Sequence, residues 1–267
     1  MRTAIRRSTL GALPSLVGGT GRPLVLLGGL TPENGLPRGI GLRFEYSVIA
    51  AYSGGLEVHW ASRPTGLPIG TTLSDIAQIT ADGIREAFGG EPVALLGIST
   101  GGSIAQQLAA EHPDVVRRLV LMSTGCRLDP ETRDSQRRLA TLAQRGDIAG
   151  VFTEYGRDLV PPHRGRRVAG VGMRLIGPRI YSGIGDLSDL AMTLLAEDAF
   201  DLQDLPRISA PTLILAGGRD RFYSRATLND TAKLIPNSTF SLYEKRGHIT
   251  LLSDRKAIAE AVAFSRA

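Results

Sequence analysis

Three residues far apart in the chain have side chains that together can carry out nucleophilic catalysis. Ser99 lies in the pentapeptide GISTG (97–101), Asp220 follows PTLILAGGR, and His248 follows EKRG. A serine hydroxyl becomes a good nucleophile when an imidazole takes its proton, and a carboxylate can fix the tautomer of that imidazole. The question is whether Ser99 is such a nucleophile or only a small residue in a tight turn.

The pentapeptide has the form Gly-x-Ser-x-Gly, with an apolar run before it and a helical pattern after it. A nucleophilic serine at this position needs a sharp strand-to-helix turn, and the residues two before and two after it must be small. Gly97 and Gly101 meet that demand. The helix that follows would also point backbone N–H groups at a developing negative charge. Because glycine and serine are common in turns, the pentapeptide alone is a weak signal for a nucleophile. Asp220 and His248 make that interpretation specific.

Short, continuously apolar runs bounded by Gly or Pro predict strands that are buried on both faces. Four of them are PLVLLGG (23–29), PVALLGIS (92–99), RLVLMSTG (118–125) and PTLILAGG (211–218). LEVHWASRP (56–64) and STFSLYEKRG (238–247) fit two further strands, and residues 1–20 fit an antiparallel edge.

Helical periodicity separates these strands, at 72–88 with Thr72 or Ser74 as the cap and at 100–112 before Pro113. The alternation predicts an α/β fold, an open and mostly parallel sheet covered by helices on both faces. Ser99, Asp220 and His248 each follow a strand, so the fold would bring them to one edge of the sheet.

The segment from 128 to 205 has no convincing strand and several helix starts, at Asp129-Pro130, at Asp147 and from Asp186. It predicts a helical cap over the carboxyl edge of the sheet, where open α/β sheets bind ligands. The predicted organisation is a core domain of residues 1–127 and 206–267, with a cap subdomain of residues 128–205.

The motifs GISTGG, PTLILAGGRD, KRGH and PLVLLGGLTPENG resemble those of the α/β-hydrolase fold family, in the form with a helical cap, and the resemblance covers nearly the whole chain. It implies that Ser99 is the nucleophile, His248 the base and Asp220 the orienting acid. The backbone N–H groups of Thr100 and Leu30 would form the oxyanion hole. The sequence departs from the family at Gly28, where a histidine is common.

The predicted substrate pocket includes Gly29 and the apolar cap residues Met173, Tyr181 and Met192, together with Leu159, Leu175 and Ile180. The same side chains could instead pack the cap onto the sheet.

Other histidines fit structural roles better than catalytic ones: His59 lies in an apolar strand, His112 at a helix end and His163 in the cap. Their spacing matches no metal-ligand pattern, so we expect no metal and no cofactor. Some members of the fold place the acid after the strand before the cap, but no carboxylate occurs there until Asp129.

The formal net charge is +5, with the arginines scattered among 26 acidic residues, so we expect no nucleic-acid partner. No apolar run is long enough for a membrane span, and a single cysteine, Cys126, requires no oxidising compartment. We therefore expect a cytoplasmic protein with a small-molecule substrate. The sequence leaves a homodimer open.

The resemblance implies a serine hydrolase that cleaves a carboxylic ester, lactone or thioester through an acyl-enzyme on Ser99. The same three residues also serve cofactor-free haloperoxidases or perhydrolases, C–C bond hydrolases and acyltransferases of this fold, and these alternatives stay open. An alternative from another class is a ligand receptor that keeps the three residues but has little turnover.

Overall fold

An eight-stranded sheet forms the centre of the computed structural model, which describes residues 4–158, 165–180, 186–200 and 204–267. The strands are β1 (Ile5–Leu10), β2 (Leu13–Gly19), β3 (Arg22–Leu27), β4 (Leu56–Ala61), β5 (Val93–Ile98), β6 (Val116–Met122), β7 (Thr212–Gly217) and β8 (Ser238–Tyr243). Their order in the sheet is β1-β2-β4-β3-β5-β6-β7-β8. The β1–β2 and β2–β4 pairs are antiparallel and all others are parallel. The predicted fold class is confirmed, including the antiparallel edge near the start of the chain.

Helices connect these strands and cover the sheet. They are α1 (Gly39–Tyr52), α2 (Leu73–Phe88), α3 (Thr100–Glu111), α4 (Pro130–Gln144), α5 (Ile148–Asp158), α6 (Arg166–Ile180), α7 (Ser188–Asp198), α8 (Arg225–Leu234), α9 (His248–Leu251) and α10 (Arg255–Arg266). Thr72 caps α2 through a reciprocal capping box with Asp75, as its sequence predicts.

Both faces of the sheet are buried, which explains why its parallel strands are continuously apolar. Along β3, Val25 and Leu27 point into one apolar cluster, while Leu24 and Leu26 point into another. The first cluster contains residues of α2 and α3, and the second contains residues of α1 and α10. The alternation follows from the two-residue period of a strand, and it fixes the sheet between two helical layers.

Helices α4 to α7 lie between β6 and β7 in the described part of the chain. The beginnings of α4, α5 and α7 agree with the sequence signals, while α6 begins at Arg166 without a predicted start. Pro130 is in the first turn of α4, Asp147 accepts a hydrogen bond from Gly150 N (2.8 Å), and Asp186 accepts one from Ser188 N (2.8 Å). The described parts of 128–205 contain no strand. The division of the chain into a core domain and a cap subdomain stays a prediction.

Helix α1 has no counterpart among the predicted elements. It begins after Arg38 without a side-chain cap and without an acidic residue in its first turn. Its pattern is also inverted, since Ile40 and Phe44 are exposed while Glu45 is buried. Tertiary packing of Ile49 and Tyr52 onto the sheet therefore holds this helix where local signals are weak.

Candidate active site

Ser99 sits on the strained turn that its sequence context predicts. It follows β5 directly and precedes α3, with φ at 52°, in a region that side-chain-bearing residues rarely occupy. A Cβ on Gly97 would lie 2.5 Å from the Gly101 carbonyl oxygen, and one on Gly101 would overlap the Leu27 carbonyl oxygen. Only glycine fits at these two positions, because backbone passes against backbone there.

The three residues proposed from the sequence meet in one chain of hydrogen bonds. His248 Nε2 lies 3.0 Å from Ser99 Oγ, and His248 Nδ1 lies 2.8 Å from Asp220 Oδ2. The His248 side chain is 8% exposed and that of Asp220 is fully buried. This geometry lets the imidazole take a proton from the hydroxyl while the carboxylate holds its other nitrogen.

Asp220 is fixed by the loop that carries it. Its Oδ1 accepts hydrogen bonds from Phe222 N (2.8 Å) and Tyr223 N (3.2 Å), which leaves Oδ2 for His248. The rings of Phe222 and Tyr223 also contact the imidazole, at centroid distances of 4.5 and 6.1 Å. The same turn therefore sets both the carboxylate and the ring that it orients.

Asp129, the other carboxylate weighed from the sequence, has a different role. It accepts hydrogen bonds from Ser224 N, from Ser224 Oγ (3.2 Å) and from Thr227 Oγ1 (2.6 Å) at the start of α8. Its oxygens thus hold the beginning of α8, while Asp220 contacts His248.

The two candidate oxyanion donors come from the first residue of α3 and from the loop after β3. Thr100 is the first residue of α3, so its N–H has no acceptor within the helix. Leu30 is in the loop after β3, and both residues line the cavity that contains Ser99. A Cβ on the neighbouring Gly29 would lie 3.5 Å from Ser99 Cβ, which places this loop against the serine. The oxyanion role of the two N–H groups stays a proposal.

Arg63, which the sequence analysis did not single out, fastens the loop that carries Leu30. Its guanidinium donates to Gly29 O (2.9 Å), Thr31 O (3.0 Å), Thr31 Oγ1 (2.8 Å), Glu33 O (3.3 Å) and Asn34 Oδ1 (2.9 Å). Charge-assisted bonds from one planar group are well suited to hold several carbonyls in a fixed arrangement. Its position just past β4, at the edge where the other site residues lie, was the signal that could have found it.

Glu197, from α7, was also missed. It is fully buried and accepts hydrogen bonds from Thr100 Oγ1 (2.9 Å), Ser103 Oγ (2.9 Å) and Gln136 Nε2 (3.0 Å). Burial raises the pKa of its carboxyl, and the three hydrogen bonds oppose that rise. Glu197 therefore ties helices α4 and α7 to the first turn of α3, beside Ser99.

We expect Glu197→Ala to lower the free energy of unfolding by about 2–4 kcal/mol, because three buried donors would lose their acceptor. Glu197→Gln retains one acceptor oxygen, so its free energy of unfolding should fall by less. Urea unfolding at neutral pH measures both. The control is Glu244→Ala, which removes an exposed ion pair with Arg225 and should change stability by no more than about 0.5 kcal/mol. Equal losses for Glu197→Ala and this control would contradict the bracing role.

A cavity of about 290 Å³ opens beside Ser99 and His248. Much of its wall is apolar, formed by residues such as Leu26, Val48, Ile98, Leu139, Phe152 and Leu252. Polar side chains also reach it from α1, α4 and α5, among them Glu45, Gln136 and Asp158. The cavity therefore offers a small molecule a mixed apolar and polar environment.

Some of the predicted pocket residues line the cavity and others do not. Gly29 and Met173 line the cavity. Met192 packs against two apolar clusters and lies outside the set of described residues that form the lining, while Leu175 is 59% exposed on α6. Tyr181, Leu159 and the side chain of Ile180 lie outside the described residues.

Within the described ranges, no group of three or more His, Cys, Asp or Glu side chains is arranged to hold a metal ion. None of the helices in that part of the chain is long and apolar enough to cross a membrane.

A profile of the alpha/beta hydrolase family matches residues 20–261, and the chain belongs to this family. Among curated relatives, a polyketide synthase, ThaQ of Burkholderia thailandensis, is 28% identical over 92% of this chain, which spans only 12% of that protein. The homoserine O-acetyltransferase of Deinococcus radiodurans is 26% identical, over 74% of this chain and 65% of its own length. A pimeloyl-[acyl-carrier protein] methyl ester esterase of Neisseria meningitidis is 29% identical, over 69% of this chain and 72% of its own.

Solved structures share the fold at low identity. The alpha/beta hydrolase MGS-M2, from a Medee basin deep-sea metagenome library, has a TM-score of 0.74 and 17% identity, covering 99% of this chain and 94% of its own. A thermophilic esterase of Thermogutta terrifontis has a TM-score of 0.72 and 23% identity, covering 98% of this chain and all of its own. The family profile thus shows the family and the solved structures share its fold, while the relatives carry several different activities.

Proposed function

We propose that this chain is a serine hydrolase that cleaves a carboxylic ester, lactone or thioester. The observation that carries the proposal is the hydrogen-bond chain from Ser99 through His248 to Asp220 beside a cavity of about 290 Å³. Two relatives add support, since one is named a methyl ester esterase acting on an acyl-carrier protein substrate and one a polyketide synthase.

The proposed reaction proceeds in two halves. Ser99 Oγ attacks the substrate carbonyl while His248 Nε2 takes its proton, and the N–H groups of Thr100 and Leu30 stabilise the oxyanion. His248 then protonates the leaving oxygen or sulfur as its bond to the carbonyl carbon breaks, which leaves an acyl-enzyme on Ser99. An ester or thioester releases an alcohol or thiol at this point, and a lactone opens to a hydroxyacyl group. Water, deprotonated by His248, attacks the acyl-enzyme, and His248 returns the proton to Ser99 Oγ as the carboxylic acid is released. Asp220 holds the imidazole throughout.

A panel of aryl esters with acyl chains of increasing length, together with lactones and thioesters, tests the proposal. We expect acyl chains at least two methylenes longer than acetyl to react at least about tenfold faster in kcat/KM, because each buried methylene contributes about 0.8 kcal/mol, or about fourfold. If the protein bound these compounds but hydrolysed none of them, the result would contradict the hydrolase proposal and favour the ligand-receptor alternative.

Acyl transfer to an alcohol is the second candidate, because one relative is named an O-acetyltransferase. Adding an alcohol to the ester assays separates the two activities. A hydrolase releases the free acid as its main product, whereas a transferase forms the new ester and consumes its donor slowly in water alone.

A further inference from the structure

Helix α1 exposes an aromatic side chain and buries an acidic one, which is the reverse of the usual pattern. Phe44 is 54% exposed, whereas the next residue, Glu45, is 6% exposed. Glu45 lies on the same helical face as Ile49 and Tyr52, which are both fully buried against the sheet. A carboxyl group on such a face is costly to bury, so it needs a partner or a function.

The Glu45 side chain lines the same cavity as Ser99, among apolar neighbours that include Leu26, Val48 and Ile98. The indole N–H of Trp60 lies close enough to lower the pKa of Glu45. That N–H nevertheless makes no hydrogen bond of normal geometry with the described residues. The carboxyl oxygens therefore face the cavity with hydrogen-bonding capacity to spare.

Arg63 is the charged group that acts on Glu45. The hydrogen bonds of its guanidinium go to the carbonyls and side chains of residues 29–34, so it favours the ionised form of Glu45 through space without hydrogen-bonding to it. Burial raises the pKa of Glu45 to about 7, and Arg63 and Trp60 oppose this rise. Both protonation states are thus populated near neutral pH.

We propose that Glu45 forms a polar subsite in this cavity and binds a hydroxyl group on the acyl chain of the substrate. This inference rests on the proposed ester hydrolysis and names the substrate class, a hydroxylated acyl ester. A hydroxyl can donate to an ionised carboxylate and accept from a protonated carboxyl, so it fits Glu45 in either state. Because the charge of Arg63 already offsets that of Glu45, an ammonium group gains little net attraction at this subsite, and a carboxylate would be repelled by Glu45 itself.

The test compares aryl esters that share a leaving group and chain length but carry a hydrogen, a hydroxyl or an ammonium group on the acyl chain. We expect the protein to prefer the best hydroxyacyl ester over its plain counterpart by about tenfold in kcat/KM. Glu45→Leu should remove that preference and keep or improve turnover of the plain ester. Glu86→Gln, which changes an exposed carboxylate on α2 outside the cavity, should leave the preference unchanged.

Three outcomes would overturn the subsite. These are no hydroxyl preference in the native protein, a preference that survives in Glu45→Leu, or faster turnover of the ammonium ester than of the hydroxy ester. An equal loss on plain and hydroxylated esters in Glu45→Leu would make Glu45 a structural counterion of Arg63 instead.

Binding separates this inference from the proposed hydrolysis. The matched hydroxyacyl and plain amides, which resist cleavage, are titrated calorimetrically into the Ser99→Ala protein with and without Glu45→Leu. A tenfold tighter binding of the hydroxy amide that Glu45→Leu abolishes supports the subsite even if no ester is hydrolysed. Equal binding of the two amides overturns it.

Discussion

Ser99→Ala is expected to lower kcat/KM for the best ester by about 10⁴-fold or more, while the protein stays folded. The hydroxyl is the atom that lies 3.0 Å from His248 Nε2, and alanine has nothing to replace it as a nucleophile. Initial rates under pseudo-first-order conditions measure the loss, and thermal unfolding checks the fold.

Ser47→Ala is the matched control, because it removes an exposed serine hydroxyl on α1 that donates to the Phe44 carbonyl and lies outside the hydrogen-bond chain of Ser99. We expect its kcat/KM to stay within about twofold of native. If Ser99→Ala retained more than a few per cent of native activity, another group would have to be the nucleophile.

Asp220→Asn is the second large effect, with an expected fall in kcat/KM of about 10⁴-fold. The Asp220 carboxylate accepts the Nδ1 proton of His248 at 2.8 Å and two backbone N–H bonds from its own loop. An amide can present its NH₂ group to Nδ1, which favours the tautomer that carries its proton on Nε2 and cannot act as a base toward Ser99.

Asp129→Asn is the matched control for Asp220→Asn, because it changes the other candidate carboxylate. This carboxylate holds the start of α8 through Ser224 and Thr227, so its replacement should cost stability and leave kcat/KM within about tenfold of native. A greater loss of kcat/KM in Asp129→Asn than in Asp220→Asn would show that the acid had been assigned to the wrong strand end.

The central elements were predictable because their signals are local. Buried strands are continuously apolar, so the runs at β3, β5, β6 and β7 stand out, and the parallel order follows from the helices between them. The three residues of the hydrogen-bond chain could be proposed for the same reason, since each follows a strand that the pattern identifies. Which edge residues touch, and at what distance, depends on the three-dimensional structure.

The residues that were missed act over long separations. Glu197 bonds to Thr100, 97 positions earlier, and its acceptor role depends on how α7 packs over α3. Arg63 donates hydrogen bonds to the loop after β3, about thirty positions earlier in the chain. Most of the acceptors there are backbone carbonyls, which every residue type has, so the sequence gives no sign of them. A single sequence shows periodicity and local motifs, and neither predicts hydrogen bonds between residues so far apart in the chain.

Helix α1 shows the same limit in another form. Its capping signals are absent, and the burial of Glu45 opposes the pattern that usually identifies an amphipathic helix. A departure from local rules at a cavity wall is expected where function competes with stability. Among the residues predicted for the pocket, Gly29 on the loop and Met173 on α6 line the cavity, whereas Met192 packs against apolar clusters; their role in binding substrate stays a prediction.

Covalent labelling with a fluorophosphonate, followed by peptide mass mapping, tests the central claim most directly. Such a probe reacts with a serine hydroxyl that a neighbouring imidazole activates. We predict one adduct per chain, on the peptide that contains Ser99, absent in Ser99→Ala and strongly slowed in His248→Ala. An adduct on another residue, equal labelling of Ser99→Ala, or no labelling of the native protein would contradict the account.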